Sequence, residues 1–252
     1  MSGPRLLLTG GSGRLGRELL ALLPGVVAPS SREMDVTDFG QVRETIARER
    51  PEVIVHAAAY TNVGTAETGR ETCWRVNVEG TRHVARAADE VGAKLVHIST
   101  DYVFSGDRGG YRETDTPGPV VNYYALTKLV AEAAARAAHN HLILRTSFRP
   151  RDFQYPVAFV DVFTGQDYVD VIAPLVAEAV LHAHAIPDEV LHIVTERKSV
   201  YDLARRRRPD VREGRRADAP VALPADVSLN IERWEALRAT WVGRAGTPGG
   251  ER

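Results

Sequence analysis

Short apolar runs alternate with amphipathic stretches along the first two-thirds of the chain. Runs with the length of strands lie at residues 5–9, 26–28, 53–56, 94–99 and 142–144. The segments VIVHA and LVHIST are apolar almost throughout, which is typical of parallel strands covered on both faces. Between the runs, a helical period predicts helices over residues 14–23, 38–48, 71–91 and 123–138.

Strands that are separated by helices form right-handed crossovers and therefore a parallel sheet. The alternation predicts an α/β protein: a Rossmann doubly wound parallel sheet with helices on both faces and a small C-terminal substrate lobe. We expect residues 1–147 to form the NADP(H)-binding Rossmann core with the catalytic residues. Residues 148–242 are expected to form a smaller substrate-binding lobe interleaved with that core.

The pattern loosens after residue 145, where prolines become frequent. Helices are expected over residues 169–184, 200–206 and 234–241, with a strand at 190–194. The segment 243–252 is rich in Gly and Pro and is expected to be a disordered tail.

Charge and cysteine usage narrow the classes of protein. The formal net charge of the 252 residues is -1, which gives no electrostatic case for nucleic acid or an anionic membrane. The single cysteine, Cys73, excludes an internal disulfide and indicates a reducing compartment. With no signal peptide or membrane-spanning apolar stretch, we expect a cytoplasmic protein. No metal site is predicted, because the paired histidines are badly spaced for a shared ion.

A glycine-rich loop, TGGSGRLG at residues 9–16, joins the first strand to the first helix. It fits G-x-G-x-x-G through Gly11, Gly13 and Gly16, and G-x-x-G-x-x-G through Gly10, Gly13 and Gly16. Either spacing permits a tight turn, close approach of a pyrophosphate and access to the helix N-terminus. We predict a dinucleotide site here, with Arg14 and Leu15 among its contacts.

The end of the second run bears on the choice of cofactor. NAD enzymes usually place an acid there for the ribose hydroxyls, whereas this chain has Arg32 followed by Glu33. Arg32, assisted by Arg14, could pair with a 2′-phosphate, which favours NADP(H); Glu33 leaves NAD(H) as the alternative. Asp35 is a candidate for the adenine amino group.

Tyr124 and Lys128 stand four residues apart on a predicted helix and therefore share a face. An ammonium near a phenol lowers the phenol's pKa toward the range needed for proton transfer to a ketone. Thr100 and Asp101 end the fourth run, at the carboxyl edge of the sheet where ligands bind. We predict catalysis by Thr100, Tyr124 and Lys128, with Thr100 holding the substrate carbonyl.

Several of these segments resemble the dTDP-4-dehydrorhamnose reductases, in the extended short-chain dehydrogenase/reductase family. They are LLLTGGSGRLGREL, REMDVTD, PEVIVHAAAYTNVGTAE, RVNVEGTRHVARAA, LVHISTDYVFSG, YYALTKLVAEAA and LILRTS. The resemblance implies NADPH-dependent reduction of the keto group of a 4-keto-6-deoxy nucleotide sugar, and a homodimer formed through helices 71–91 and 123–138.

The resemblance also assigns residues. It implies cofactor contacts at Gly10, Gly13, Gly16, Asp35, Val36, Ala57, Ala58, Ala59 and Lys128. It places Asp101, Tyr102 and Tyr124 near the substrate and makes Asn77 a structural or proton-relay residue. Related dehydratases carry an Asp-Glu pair after the catalytic threonine, whereas Tyr102 follows Asp101 here, which favours reduction over elimination of water.

The chain departs from the family pattern where a nucleotide sugar would be gripped. The family's Val-Asp is Val63-Gly64 here, RTSWVYG becomes RTSFRPR at residues 145–151, and the following stretch is shortened. A reductase of a non-nucleotide ketone and a non-catalytic NADP-binding regulatory subunit therefore remain alternatives. The run Arg205–Arg208 either binds a substrate diphosphate or forms a solvated helix end.

Overall fold

The computed structural model describes residues 3–219 and 223–245. The strands are β1 (Leu6–Thr9), β2 (Val53–His56), β3 (Lys94–Thr100), β4 (His141–Thr146), β5 (Phe148–Arg149), β6 (Val157–Phe159), β7 (Phe163–Thr164), β8 (Asp167–Tyr168), β9 (Val190–Ile193), β10 (Lys198–Ser199) and β11 (Arg212–Gly214). The helices are α1 (Arg14–Leu22), α2 (Phe39–Glu49), α3 (Val63–Ala66), α4 (Arg70–Trp74), α5 (Gly80–Val91), α6 (Tyr123–Ala135), α7 (Val169–Leu181), α8 (Val200–Arg205) and α9 (Glu232–Ala245).

Five strands form one parallel sheet in the order β1-β2-β3-β4-β9. Their side chains alternate between two apolar clusters, so that Leu6 and Leu8 face one layer and Leu7 faces the other. The first cluster includes residues of α1, α7 and α9, and the second includes residues of α2 and α5. This is the predicted doubly wound α/β architecture, with helices on both faces of the sheet.

The predicted strand at 26–28 is wrong as an element. Only Val27 bridges Leu7, through hydrogen bonds from Val27 N to Leu6 O and from Leu8 N to Val27 O. Pro29 has no N–H with which to extend this pairing. The segment still lies beside β1, on the side opposite β2, so the order of connection reverses across β1.

The long helix predicted over residues 71–91 contains an irregularity. A π-helical segment, Arg75–Glu79, separates α4 from α5, and α5 ends at Gly92 in the left-handed conformation with φ 72°. π-Helical turns are frequent at functional sites, because they turn one side chain out of the regular helical register. Here the segment carries Asn77.

The part of the chain after β4 combines helices with pairs of short strands, β5 with β8, β6 with β11 and β7 with β10. A small apolar cluster holds this part together, with Phe153, Tyr168 and Leu203 among its members. Helix α9 continues through Ala245, so residues 243–245 are helical and the predicted tail boundary at 243 is wrong. Residues 246–252 of the predicted tail lie outside the described residues. In the described ranges, the structure contains no helix long and apolar enough to cross a bilayer.

Candidate active site

A cleft of about 1030 Å³ opens at the carboxyl ends of the central strands. It lies where the order of connection reverses across β1, which is the position at which open α/β sheets bind ligands. Its walls come from the glycine loop, the segment after β2, the ends of β3 and β4, and the first two turns of α6. The predicted site residues that line it are Gly10, Gly13, Arg14, Leu15, Gly16, Asp35, Val36, Ala57, Ala58, Ala59, Asp101, Tyr102, Tyr124 and Lys128.

The backbone of the glycine loop distinguishes between the two predicted glycine spacings, through Gly10 or through Gly11. Gly10 has φ 74°, and a Cβ there would lie 2.6 Å from Ala58 N. A Cβ on Gly16 would overlap the carbonyl oxygen of Gly10, whereas a Cβ on Gly11 would come no closer than 3.3 Å, to Ala28 Cβ. The backbone therefore requires glycine at positions 10 and 16, which favours the Gly10-Gly13-Gly16 spacing over the alternative.

Helix α1 presents a bare N-terminus to the cleft. Gly13 caps it without a side-chain hydrogen bond, and its first turn contains no acidic residue. The unpaired N–H groups and the positive end of the helix dipole favour an anion. Arg14 is exposed and adds a positive charge at the same edge of the cleft. This cradle fits a dinucleotide pyrophosphate.

The segment that follows Val27 distinguishes the candidate cofactor contacts. Arg32 is exposed, and among the described residues it is not part of the cleft wall, unlike Arg14. Glu33 Oε2 accepts hydrogen bonds of 2.8 Å from both the backbone N–H and the hydroxyl of Ser30, which lower the pKa of Glu33. The carboxylate that left NAD(H) as an alternative is therefore occupied within its own turn. Asp35 lines the cleft and accepts a hydrogen bond from Thr37 N at 2.9 Å.

Four side chains, from the end of β3, the turn that follows it and the start of α6, meet at the inner end of the cleft. The hydroxyl of Thr100 donates to Asp101 Oδ1 at 3.0 Å and accepts from Tyr102 N at 3.3 Å. The ring of Tyr102 packs edge to face against that of Tyr124, with centroids 6.3 Å apart. A side-chain interaction with Thr100 acts to lower the pKa of Tyr124. The structure thus brings together the predicted Thr100, Asp101, Tyr102 and Tyr124, although Thr100 itself stands behind the cleft wall.

The pKa of Tyr124 is raised, which is the reverse of the predicted direction. Burial is the main cause, and the negative charge of Asp101 adds to it. Lys128 lies one turn along α6, but its Nζ donates to the carbonyl oxygen of Ile98 at 2.7 Å and lies 3.3 Å from His97 Nε2. Burial lowers the pKa of Lys128 to about 8, against the opposing charge of Glu132.

Asp101 is a buried acid beside Tyr124. Burial raises its pKa to about 6, although hydrogen bonds from Ser147 and Thr100 oppose that rise. Its charge therefore changes within the range in which an enzyme works, and it faces the phenol that would carry the proton.

Asn77 fills a structural position behind the site. Its amide donates to Thr127 Oγ1 at 2.9 Å and to the carbonyl oxygen of Tyr60 at 3.1 Å, and its oxygen accepts from Tyr60 N at 2.7 Å. It is 1% exposed, and these bonds join the loop after β2 to α6. Of the two predicted roles for Asn77, this satisfied geometry favours the structural one.

Among the polar residues of the cleft wall that sequence reasoning missed are Ser147 and Gln166. Ser147 directly follows β4, and its place at the carboxyl end of a strand could have identified it. Gln166 precedes the two-residue strand β8, and no periodicity of the sequence marks it.

The run Arg205–Arg208 pairs mainly within its own lobe. Arg206 reaches Asp167 at 2.9 Å, and Arg207 reaches Asp170 at 2.8 Å. Arg208 donates to the carbonyl oxygen of Gln154 at 3.1 Å. These acceptors favour a structural role for the run over binding of a substrate diphosphate. The described residues contain no cluster of three His, Cys, Asp or Glu side chains that could hold a metal ion.

Comparison with known proteins agrees with this geometry. The chain is 46% identical over 136 residues to a dTDP-4-dehydrorhamnose reductase of Streptomyces griseus, covering 52% of this chain and 44% of that protein. It is 43% identical over 135 residues to a dTDP-4-keto-6-deoxy-D-glucose reductase of Streptomyces niveus, covering 52% and 46%. The chain thus spans about half the length of the curated relatives it matches.

A solved structure extends the likeness over nearly the whole chain. A dTDP-4-dehydrorhamnose reductase of Bacillus anthracis, in complex with NADP, superposes with a TM-score of 0.82 at 27% identity, covering 94% of this chain and 93% of that one. The family model described as the RmlD substrate binding domain matches residues 4–222. With this match over most of its length, the chain belongs to the RmlD substrate binding domain family.

Proposed function

We propose that this protein uses NADPH to reduce the keto group of a 4-keto-6-deoxy nucleotide sugar. The observation that carries the proposal is one cleft lined both by the glycine cradle and by Tyr124. The reductases of Streptomyces that resemble this chain are named for substrates of that class.

NADPH supplies the hydride when it is bound. On this chain, Gly10, Gly13 and Gly16 would let the backbone approach the pyrophosphate, and the open N-terminus of α1 would bind it. Arg14 supports NADP(H) over NAD(H), since it lines the cleft while Glu33 is bound by Ser30. The Bacillus anthracis relative was solved with NADP.

Tyr124 donates the proton to the carbonyl oxygen in this proposal. A phenol is protonated near neutral pH, which is the form that a reduction needs at its start, and the raised pKa of Tyr124 keeps it in that form while making it a weaker acid. Thr100, which the sequence predicts to hold the same carbonyl, stands behind the cleft wall and donates its hydroxyl to Asp101, so that role stays a prediction. Asp101 and Tyr102 line the cleft beside them and would contact the sugar.

The test compares Tyr124→Phe with Tyr123→Phe, its neighbour on α6, which is outside the cleft wall. Loss of a positioned proton donor lowers a rate by about 100- to 10,000-fold. We expect that loss in NADPH oxidation with a dTDP-4-keto-6-deoxyhexose for the Tyr124 variant alone, with NADPH binding retained in both.

Two results would contradict the proposal. Full turnover by Tyr124→Phe would show that Tyr124 is not the proton donor. A wild-type protein that binds NADPH but reduces no keto nucleotide sugar would move the assignment to another ketone or to a regulatory subunit.

Three further expectations stay predictions. They are the homodimer formed through α5 and α6, the cytoplasmic location, and the division of function between residues 1–147 and 148–242. The oligomeric state is measured directly by light scattering.

A further inference from the structure

Arg149 is distinguished from the neighbouring arginines by its lack of an acidic partner. It lies in β5, between the cleft-lining Phe148 and the shortened stretch of the lobe. Within residues 3–219 and 223–245, no carboxylate lies within ion-pairing distance of its guanidinium, whereas Arg151 binds both carboxylate oxygens of Glu18. Arg206 and Arg207 are also paired with acids.

The guanidinium of Arg149 is nevertheless held in place. Its Nε donates to Gln166 Oε1 at 2.6 Å, and its charged carbon stands 5.0 Å from the centre of the Phe153 ring. The residue is half-buried, and burial lowers its pKa. A cation withdrawn from water without an anion is unfavourable, while an oriented guanidinium is well suited to a phosphoryl group.

Arg149 is also connected to the reacting end of the cleft. Gln166, which fixes its Nε, donates in turn to Ser147 Oγ at 3.1 Å. Ser147 hydrogen-bonds Asp101, beside Tyr124. Gln166, Ser147 and Asp101 all line the cleft, as does the adjacent Phe148. Arg149 is not itself part of the wall, but it lies directly beside these residues, on the side of the substrate lobe.

We propose that Arg149 binds a phosphoryl group of the keto substrate and is a specificity-determining residue of this chain. The inference rests on the proposed function, since it names a contact of the same substrate. The segment RTSFRPR departs here from the pattern RTSWVYG, which has valine at this position. The phosphoryl group belongs either to the diphosphate of a nucleotide sugar or to a simpler sugar phosphate.

The test measures binding, which separates it from turnover. Protein saturated with NADP⁺ is titrated calorimetrically with dTDP, glucose 1-phosphate and thymidine, so that the probes cannot occupy the cofactor site. The variants are Arg149→Gln and, as a control, Arg205→Gln, an exposed arginine of the same lobe that stacks on Tyr201.

We expect Arg149→Gln to weaken dTDP binding by about 10- to 100-fold, the loss typical of a charge-assisted hydrogen bond. Arg205→Gln should bind like the wild type, and thymidine, which lacks a phosphate, should respond to neither substitution. A matching loss with glucose 1-phosphate identifies a phosphate close to the sugar, and a loss with dTDP alone identifies the nucleotide diphosphate.

The inference is overturned if Arg149→Gln binds dTDP as tightly as Arg205→Gln, or if the wild type prefers thymidine to dTDP. If Arg149→Gln fails to fold, which loss of its NADP⁺ binding would indicate, the dTDP affinity of Arg149→Lys is measured instead. This variant keeps the charge but lacks the fork, and its dTDP affinity should fall by at least about threefold. Arg149-dependent dTDP binding without any reduction would overturn the proposed function and leave this inference standing.

Discussion

A buried ion pair ties the helix that carries Tyr124 to the central sheet, and its removal should be costly. Glu132 on α6 accepts from Arg145 Nε at 2.9 Å and from Nη2 at 2.8 Å, and Ser99 Oγ donates to it at 2.7 Å. The side chains of Glu132 and Arg145 are 1% and 2% exposed. Neither charge can therefore exchange its partner for water.

Substitution Glu132→Gln keeps the size of the side chain and removes its charge. The guanidinium of Arg145 is then buried without a counter-ion, and breaking such a pair costs about 3–5 kcal/mol. For a chain of this length, that corresponds to a fall in the thermal midpoint of about 6–20 °C. Replacing both partners together, as in Glu132→Leu with Arg145→Met, should cost less than the single change, since no uncompensated charge remains.

The matched control is Glu90→Gln. Glu90 has two arginine partners, Arg43 at 2.7 Å and Arg86 at 3.4 Å, as Glu132 has Arg145 and, at 3.7 Å, Arg136, but the side chain of Glu90 is 34% exposed. A pair with access to water contributes less than about 1 kcal/mol. Differential scanning calorimetry on both variants compares the two costs; a Glu132→Gln protein as stable as Glu90→Gln would refute the reasoning.

Two further predictions concern the cleft. Gly16→Ala should abolish NADPH binding, measured by fluorescence titration, because the new Cβ overlaps the Gly10 carbonyl oxygen. Gly11→Ala, whose Cβ would lie 3.3 Å from Ala28 Cβ and needs only a small shift, should bind more nearly normally. Asp101→Asn should stabilise the protein near neutral pH by about 3 kcal/mol. Burial raises the pKa of Asp101 from 3.8 to about 6, so the carboxyl favours folding while it is protonated and loses that contribution as pH rises through 6. The gain should vanish in melts below about pH 4, and an equal gain at both pH values would contradict the assigned cause.

The sheet was predictable because burial on both faces leaves a strong pattern. A short apolar run such as residues 53–56, flanked by glycine, proline and segments of helical period, is predicted as a buried strand. The segment around Val27 was predicted as a strand but does not form one, because Pro29 lacks the N–H that would extend the pairing of Val27 with β1. The π-helical segment at Arg75–Glu79 could not be foreseen either, since the sequence there keeps an ordinary helical period.

The site was predictable only where its residues sit on regular elements. Thr100 ends a strand, Asp101 directly follows it, and Tyr124 lies in the first turn of a helix, so chain topology alone brings them to one edge. Gln166 and Arg149 come from irregular chain and a two-residue strand, whose positions depend on packing within the lobe. The place of Gln166 in the cleft wall, and of Arg149 beside that wall, therefore had no local signal in the sequence.

The relation between Tyr124 and Lys128 shows how spacing can mislead. A spacing of four residues on a helix places two side chains on one face, but the position of the charged end of a long side chain is set by its hydrogen bonds. The ammonium of Lys128 reaches the Ile98 carbonyl at 2.7 Å, so burial and Asp101 dominate the pKa of Tyr124. Such a phenol is protonated near neutral pH, as an ordinary phenol also is, so the raised pKa does not by itself make Tyr124 a better proton donor. The structure thus contradicts the expected lowering of the Tyr124 pKa by Lys128, and Tyr124 is assigned as proton donor because of its place in the cleft wall and not because of its pKa.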